Sequence, residues 1–203
     1  MIILLFATLL ILLAIFGGKF VRKHNVKIYI GVTIFAILAF IMKDKIKIFD
    51  PFVEGFVGLS IFYVVMITGA LKDKSKLRVK LMGLRREYSI IGFILITPHA
   101  TKYLLEFLSG DIKLPLFGVI GYAIMIPLFI TSFYTIRKKM SRYAWVTLQK
   151  FAYVSYIMLF IHLIRNASTT PNLIVYVVLF VGYFIMKIYK EIIKFNKKSK
   201  NKS

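Results

Sequence analysis

Two histidines stand inside long apolar runs of the sequence, where an imidazole is chemically most informative. His99 lies in the run 88–108 and His162 in the run 145–165. A polar ring is costly to place in lipid, so a histidine in such a run marks a functional site by default. Neutral imidazole is also a common metal ligand. The pair therefore predicts a metal or cofactor site between two helices, whereas His24 lies in a basic loop and is expected to be solvent-exposed.

The composition is that of an integral membrane protein, so we expect a lipid bilayer as its main partner. Hydrophobic residues make up 59% of the 203 residues, and the mean hydropathy is +0.79. The net charge of +21 is concentrated in the loops and the tail, which leaves no exposed basic face with interleaved aromatic residues. Such a face is the mark of nucleic-acid binding, which we therefore do not expect. The lack of cysteine excludes disulfides, iron–sulfur clusters and thiolate haem ligands.

Seven apolar runs predict an all-α integral membrane protein with seven transmembrane helices. The runs are 2–16, 28–42, 52–71, 88–108, 116–136, 145–165 and 173–189. The first two are short for a hydrocarbon core about 30 Å thick, so flanking lysines are expected to snorkel to the interface. An arrangement of six spans, lacking one of the first two helices, is the alternative. The lysine-rich tail from residue 190 is expected to be disordered.

The distribution of basic residues predicts the topology. If the loops after spans one, three and five share a side with the tail, they hold four, seven, four and at least five basic residues. The opposite loops hold three, one and one. The positive-inside rule then predicts a multi-pass protein of the cell membrane, with the N-terminus outside and the C-terminus in the cytoplasm.

This topology predicts that both histidines lie in the outer half of the membrane. A kink at Pro98 would bring His99 closer in depth to His162. Two imidazoles on facing helices can ligate a haem iron, provided that small residues make room for the porphyrin. Gly92 and Ser155 each stand seven residues before a histidine, about two turns back on the same helical face. The alternative role for these two residues is ordinary close packing of helices.

Two basic residues follow the histidines at equal spacing. Lys102 stands three residues after His99, and Arg165 stands three residues after His162. Both are expected on the outer side, where they could pair with haem propionates or snorkel to lipid head groups.

Two segments of the sequence resemble the ferric-reductase-like transmembrane domain family. They are RREYSIIGFILITPHATKY at 85–103 and TSFYTIRKKMSRYAWVTLQKFAYVSYIMLFIH at 131–162. These segments contain the motifs of that family in the same order. The motifs are paired arginines before a span, H-x-x-x-Y within that span, then R-K, W-x-x-L and a final histidine. The chain is most similar to the haem-binding membrane subunit of the bacterial periplasmic methionine-sulfoxide reductase system. The likeness is strong over 83–165 and loose over 52–189.

The resemblance implies a fold and a division of the chain. A six-helix ferric-reductase-like core that binds haem would occupy 51–190, and a basic cytoplasmic tail would occupy 191–203. Residues 1–50 would form N-terminal membrane helices, the first of which is additional to the family core.

The resemblance also implies an oxidoreductase or electron-transfer subunit that contains haem b. Such proteins pass electrons from quinol or a cytoplasmic flavin domain to an acceptor, here an extracytoplasmic one. His99 and His162 match the ligands of the outer haem, and Arg85 matches an arginine near an inner haem. Gln149 stands where the family has the inner haem's histidine, in W-x-x-L-H. Glutamine is a poor iron ligand, so we expect one haem.

If no inner haem carries the electrons, we expect a quinone or a partner's flavin near the inner face. Gln149 could donate a hydrogen bond to a carbonyl of that cofactor. The sequence contains neither G-x-x-x-x-G-K-[ST] nor G-x-G-x-x-G. A cytoplasmic flavin reductase or an extracytoplasmic reductase subunit would therefore be a separate chain.

The competing hypothesis is a non-redox membrane protein, such as a small transporter or an assembly factor, that has lost haem function. It would explain the missing third histidine, and Gly121 and Pro127 in the fifth run are typical of broken transport helices. Few acidic residues are present and no catalytic acid/base pair is apparent. Glu54 and Glu106 could bind an external metal ion or lie solvated at the interface.

Overall fold

All regular structure in the computed structural model is helical, over the described residues 2–167 and 169–200, with side chains described as far as residue 196. This confirms the predicted all-α class. The helices are α1 (Ile2–Phe16), α2 (Gly18–Lys23), α3 (Asn25–Ile41), α4 (Asp50–Val53), α5 (Phe56–Ala70), α6 (Lys76–Met82), α7 (Arg85–Leu108), α8 (Leu116–Ile130), α9 (Tyr134–Arg137), α10 (Arg142–Arg165) and α11 (Thr170–Lys200).

Two helices in the described part of the chain are long and apolar enough to cross a membrane, namely α10 and the Thr170–Asn196 part of α11. A third candidate results if Lys47–Val53 and α5, which meet at a bend of 43°, form one span. Helices α1, α3 and α8 are apolar but only 15, 17 and 15 residues long. Two to three spans are consistent with membrane association, and the predicted count of seven stays a prediction.

The bend before α5 lies at Glu54 and Gly55. Gly55 adopts a φ of +81°, in the left-handed region that glycine enters without a steric penalty. The predicted run 52–71 is therefore interrupted near its start, and α5 begins at Phe56.

Two other helix ends differ from the predicted runs. The run 116–136 ends as a helix at Ile130, where the hydroxyls of Thr131 and Ser132 donate to carbonyls one turn back at 2.7 Å each. Such side-chain bonds compete with continued helix. At the C-terminus, α11 extends to Lys200, so a helix occupies the described residues for which we predicted disorder.

Helix α5 packs closely against α7 because glycines stand where the two meet. A Cβ added to Gly58 would lie 3.0 Å from the Ile96 side chain, and one added to Gly92 would lie 2.9 Å from the Ile61 side chain. Small residues let helix backbones approach in this way. This contact determines where α7, and with it His99, stands relative to α5.

The N-terminal helices pack onto the same core. Helices α1 and α3 share a buried apolar cluster with α5 and α7, and the Tyr88 hydroxyl donates to the Leu10 carbonyl at 2.6 Å. The helices of residues 1–50 therefore contact those of 51–190 directly.

Lys190 joins α11 to the end of α5. Its Nζ donates to the carbonyls of Gly69 and Leu71 at 3.1 and 2.7 Å, and it lies 3.0 Å from Oδ1 of Asp73. Carbonyls at the end of a helix have no partner within the helix, so the ammonium group satisfies them. The hydrogen bond from Lys190 is the main cause that lowers the pKa of the Asp73 carboxyl below its ordinary value.

We expect Asp73→Asn to loosen this contact and to remove its pH dependence. Because the pKa of Asp73 is lower in the folded chain, the pairing stabilises the fold above the unfolded pKa and is lost as pH falls through the folded one. Amide exchange of residues 69–73, corrected for intrinsic rates, would be followed from about pH 6 to about pH 3, around the ordinary pKa of Asp. Protection should decline over this range in the wild type but not in D73N.

Asp44→Asn is the matched control, because Asp44 is exposed and forms no salt bridge within the described residues. It should reproduce the wild-type profile. A wild-type profile in D73N would contradict the assignment.

Candidate functional site

The structure brings the two predicted histidines together from α7 and α10. The ring centroids of His99 and His162 lie 6.3 Å apart, with their planes at 81°. Both side chains line one cavity of about 1090 Å³, slightly larger than the usual ligand site. The two imidazoles therefore face a common space, and a ligand that lies between them can contact both.

The spacing of the two rings suits two imidazoles that bind one metal. An imidazole nitrogen lies about 2 Å from the metals that it binds, so two imidazoles on opposite sides of one metal have centroids roughly 6 Å apart. No group of three or more metal-ligating side chains occurs among residues 2–167 and 169–196. Two imidazoles without further protein ligands fit a metal that brings its own equatorial ligands, as haem iron does.

A backbone break makes room for His99. A Cβ on Gly55 would lie 3.0 Å from Cγ and 3.1 Å from Nδ1 of the ring, so only glycine fits between α4 and α5 here. Nδ1 itself is buried, and no hydrogen-bond partner for it is found in the described part of the protein. This nitrogen therefore faces the protein, which leaves Nε2 as the ring nitrogen that can reach a ligand.

Helix α8 provides the corresponding space for His162. A Cβ on Gly118 would lie 2.9 Å from Cε1 and 3.0 Å from Nδ1 of this ring. The Asn166 amide lies 3.3 Å from the same Nδ1 and donates to the His162 carbonyl at 2.6 Å. Here too, Nδ1 is turned toward the protein. Sequence reasoning missed both Gly55 and Gly118, because neither lies on the helix of the histidine that it contacts.

The cavity has apolar walls and a polar mouth. Phe56, Leu59 and Ile96 are among its apolar lining. Besides the two histidines, its polar lining includes Thr101, Tyr103, Tyr122 and Tyr176 within helices and, at helix ends or between helices, Glu54, Lys113, Arg165, Asn166 and Asn172, which form the mouth. A ligand that fits this cavity therefore has an apolar body and one polar end.

Glu54 is already paired at this mouth. Its carboxylate binds the Lys102 ammonium group through Oε1 and accepts a hydrogen bond from the Tyr103 hydroxyl at 3.3 Å through Oε2. The Tyr103 ring in turn contacts the His99 ring edge-on, with centroids 4.8 Å apart. Lys102 thus pairs within the protein.

Gly92 and Ser155 do not line this cavity. Gly92 faces Ile61 of α5, and Ser155, which is buried, donates its hydroxyl to the Gly121 carbonyl of α8 at 3.0 Å. The structure therefore places both residues at helix-packing contacts, the alternative considered for them from the sequence.

Arg85 and Gln149 meet at a second, much smaller cavity of about 50 Å³. Nε2 of Gln149 and Nε1 of Trp145 are buried, and neither has a hydrogen-bond partner among the described residues. This volume can hold water but not a porphyrin. The amide nevertheless remains available to a small polar group.

Stacked aromatic rings fill the space between the two cavities. Phe129 stacks on Phe93 with centroids 4.3 Å apart, and Phe93 stacks on Tyr122 at 5.1 Å. Phe93 and Phe129 line the small cavity, and Tyr122 lines the large one. The Tyr122 hydroxyl lies 3.0 Å from Oγ1 of Thr97, which joins α8 to α7.

Comparison with known proteins adds one distant relative. No family model and no solved structure matches the chain. An uncharacterized protein of Treponema pallidum (strain Nichols) is 27% identical over 161 residues, an alignment that covers 69% of this chain and 44% of that protein. The chain thus spans less than half the length of this relative.

We expect Gly118→Ala to displace the His162 ring, because the added methyl would lie 2.9 Å from Cε1. Overpacking of this kind costs about 1–3 kcal/mol. The chain has three histidines, so histidine-selective carbon-13 labelling gives three side-chain signals. The His162 signal should move, and the His24 signal should not.

Gly31→Ala is the matched control, since no atom lies within 4 Å of its added Cβ. It should leave all three signals in place. An unmoved His162 signal in G118A would show that Gly118 does not hold this ring.

Proposed function

We propose that this chain is a membrane b-type haem protein that carries electrons toward an extracytoplasmic acceptor. It would act as a ferric-reductase-like protein or as the membrane subunit of a reductase. The observation that supports this function best is the pair of imidazoles, 6.3 Å apart, that share one large and mainly apolar cavity. The sequence resemblance over 83–165 points to the same two residues.

The residues present fit a haem with two axial ligands. His99 and His162 would hold the iron through Nε2, because Nδ1 of each ring is turned toward Gly55 or Gly118. Haem bound in this way supplies a one-electron couple between ferric and ferrous iron. Both axial positions would be taken by the chain, which favours electron transfer over binding of a substrate at the metal.

The chain's own residues would set the conditions for that couple. The apolar lining, which includes Phe56, Leu59 and Ile96, would disfavour water beside a bound ligand. Exclusion of water and control of the local dielectric are the means by which a protein shell tunes a redox potential. Gly55 and Gly118 admit the two imidazoles, because each ring occupies space that a Cβ at the glycine would need.

The surroundings of Gln149, where the family has its inner haem, favour a single haem per chain. Gln149 replaces the histidine that the resemblance would require there, and the cavity beside it measures about 50 Å³. Phe93 and Phe129 occupy the neighbouring space as a stacked pair. A quinone or a partner's flavin would approach this end from the cytoplasm, with the unpartnered Gln149 amide and Arg85 as the groups that meet it.

The remaining parts of the proposal concern topology and partners. The basic loops favour an N-terminus outside and a cytoplasmic C-terminus, with six core spans and one additional N-terminal span. The electron donor would be quinol or a cytoplasmic flavin reductase. The acceptor would be an extracytoplasmic reductase subunit or another acceptor on that side.

Absorption spectra of the purified protein test the haem directly. Protein from haem-replete cells should show a Soret band that shifts on reduction with dithionite, and both His99→Ala and His162→Ala should abolish it. His24→Ala is the control, because His24 lies outside the cavity, and its spectrum should match the wild type. A wild type without a Soret band would contradict the proposal and favour the non-redox membrane protein.

The ratio of haem to protein tests the inner position. We expect one haem per chain by pyridine haemochrome assay, and the same ratio in Gln149→His, because the aromatic stack leaves no room for a second porphyrin. Two haems per chain in the wild type would show that the inner site is intact. A second haem in Q149H alone would show that the missing ligand, rather than the filled space, limits binding.

A further inference from the structure

The basic residues that follow the two histidines have different surroundings in the fold. Lys102 is paired with the carboxylate of Glu54. Arg165 lines the large cavity and lies over the Phe117 ring, with its Cζ 5.4 Å from the ring centroid. No carboxylate of residues 2–167 or 169–196 lies within salt-bridge distance of Arg165. Lys102 and Arg165 are equally spaced from their histidines, but only the charge of Lys102 is neutralised by a carboxylate in the described part of the chain.

A second available cation lines the same cavity. Lys113 belongs to the loop between α7 and α8, and it too has no carboxylate within salt-bridge distance in the part of the chain that the structure describes. The cavity thus presents two imidazoles to its ligand together with two cationic side chains, whereas its one lining carboxylate, Glu54, is already paired.

This arrangement selects an amphipathic ligand with an anionic end. Arginine binds carboxylates through two parallel hydrogen bonds, and lysine binds them as a point charge. Arg165 and Lys113 are both exposed, so their cationic groups can meet an anionic end of a ligand without first leaving a carboxylate of the described residues. A ligand that carries two carboxylates balances the two charges.

We propose that Arg165 and Lys113 bind the carboxylates of the cavity's ligand, which, on the proposed function, are the two haem propionates. The propionates then point to the cavity mouth, and the porphyrin lies toward His99 and His162. Lys102 does not take part, because Glu54 holds it.

Haem and haem dimethyl ester together test this assignment, because the ester keeps the iron and the porphyrin but lacks both negative charges. Full-length protein from haem-depleted cells would be titrated with each compound in detergent, and binding followed at the Soret band. The wild type should bind haem more tightly than the ester. In Arg165→Gln/Lys113→Gln this preference should shrink by about tenfold or more, the usual scale for charged hydrogen bonds at a partly exposed site.

Two variants control for charge and for folding. Arg165→Lys keeps the charge and should retain most of the preference. Glu54→Gln/Lys102→Gln removes one negative charge from the cavity lining together with the positive charge that pairs with it, and should leave the preference unchanged. Unchanged ester binding by the Arg165→Gln/Lys113→Gln variant shows that the cavity has stayed folded.

The outcomes separate this inference from the function on which it rests. Haem binding with no preference over the ester, or a preference that persists in R165Q/K113Q, would overturn the propionate assignment and leave the haem site intact. A preference lost in E54Q/K102Q instead would assign the carboxylates to Lys102 and overturn it as well. If the wild type binds neither compound, both the function and the assignment are wrong.

Discussion

The close approach of helices at glycines is the constraint on which the candidate site depends. Helix α7 stands near α5 because Gly58 and Gly92 have no side chain, and α10 is joined to α8 by the bond from Ser155 to the Gly121 carbonyl. Each of these helix pairs carries one histidine. The large cavity lies between the pairs, so the distance between the two imidazoles is set by backbone contacts elsewhere in the fold.

Glycines also stand beside each of the two imidazole rings. Gly55 stands behind His99 at a left-handed turn, and Gly118 stands behind His162 within a helix. In both cases a methyl group would collide with the ring. A close-packed interior transmits such collisions, because it has few voids into which a side chain can move. The orientation of the imidazoles therefore depends on neighbouring elements as well as on their own helices.

Charged residues are distributed differently at the two ends of the helices. The loops for which the sequence predicts a cytoplasmic location are strongly basic, and one of them is joined to α11 through Asp73 and Lys190. The opposite end carries the mouth of the cavity, where Glu54 neutralises Lys102 while Arg165 remains unpaired among the described residues. Stacked rings of Phe129, Phe93 and Tyr122 occupy the space between the large and the small cavity. The two ends thus differ in what they can bind.

The amino-acid sequence alone accounts for the helical class and for the choice of the two histidines, because long apolar runs and the cost of a buried imidazole are local properties. It also placed Gln149 beside Arg85 in the same region, which the structure reproduces at the small cavity. The neighbours of Gly92, Ser155 and Lys102 became known only from the packed structure. A spacing of seven residues says that two side chains share a helical face, but not which neighbour that face meets. Gly55 and Gly118 could not be found for the same reason, because each acts on a histidine of a different helix and their contact exists only once the helices are packed.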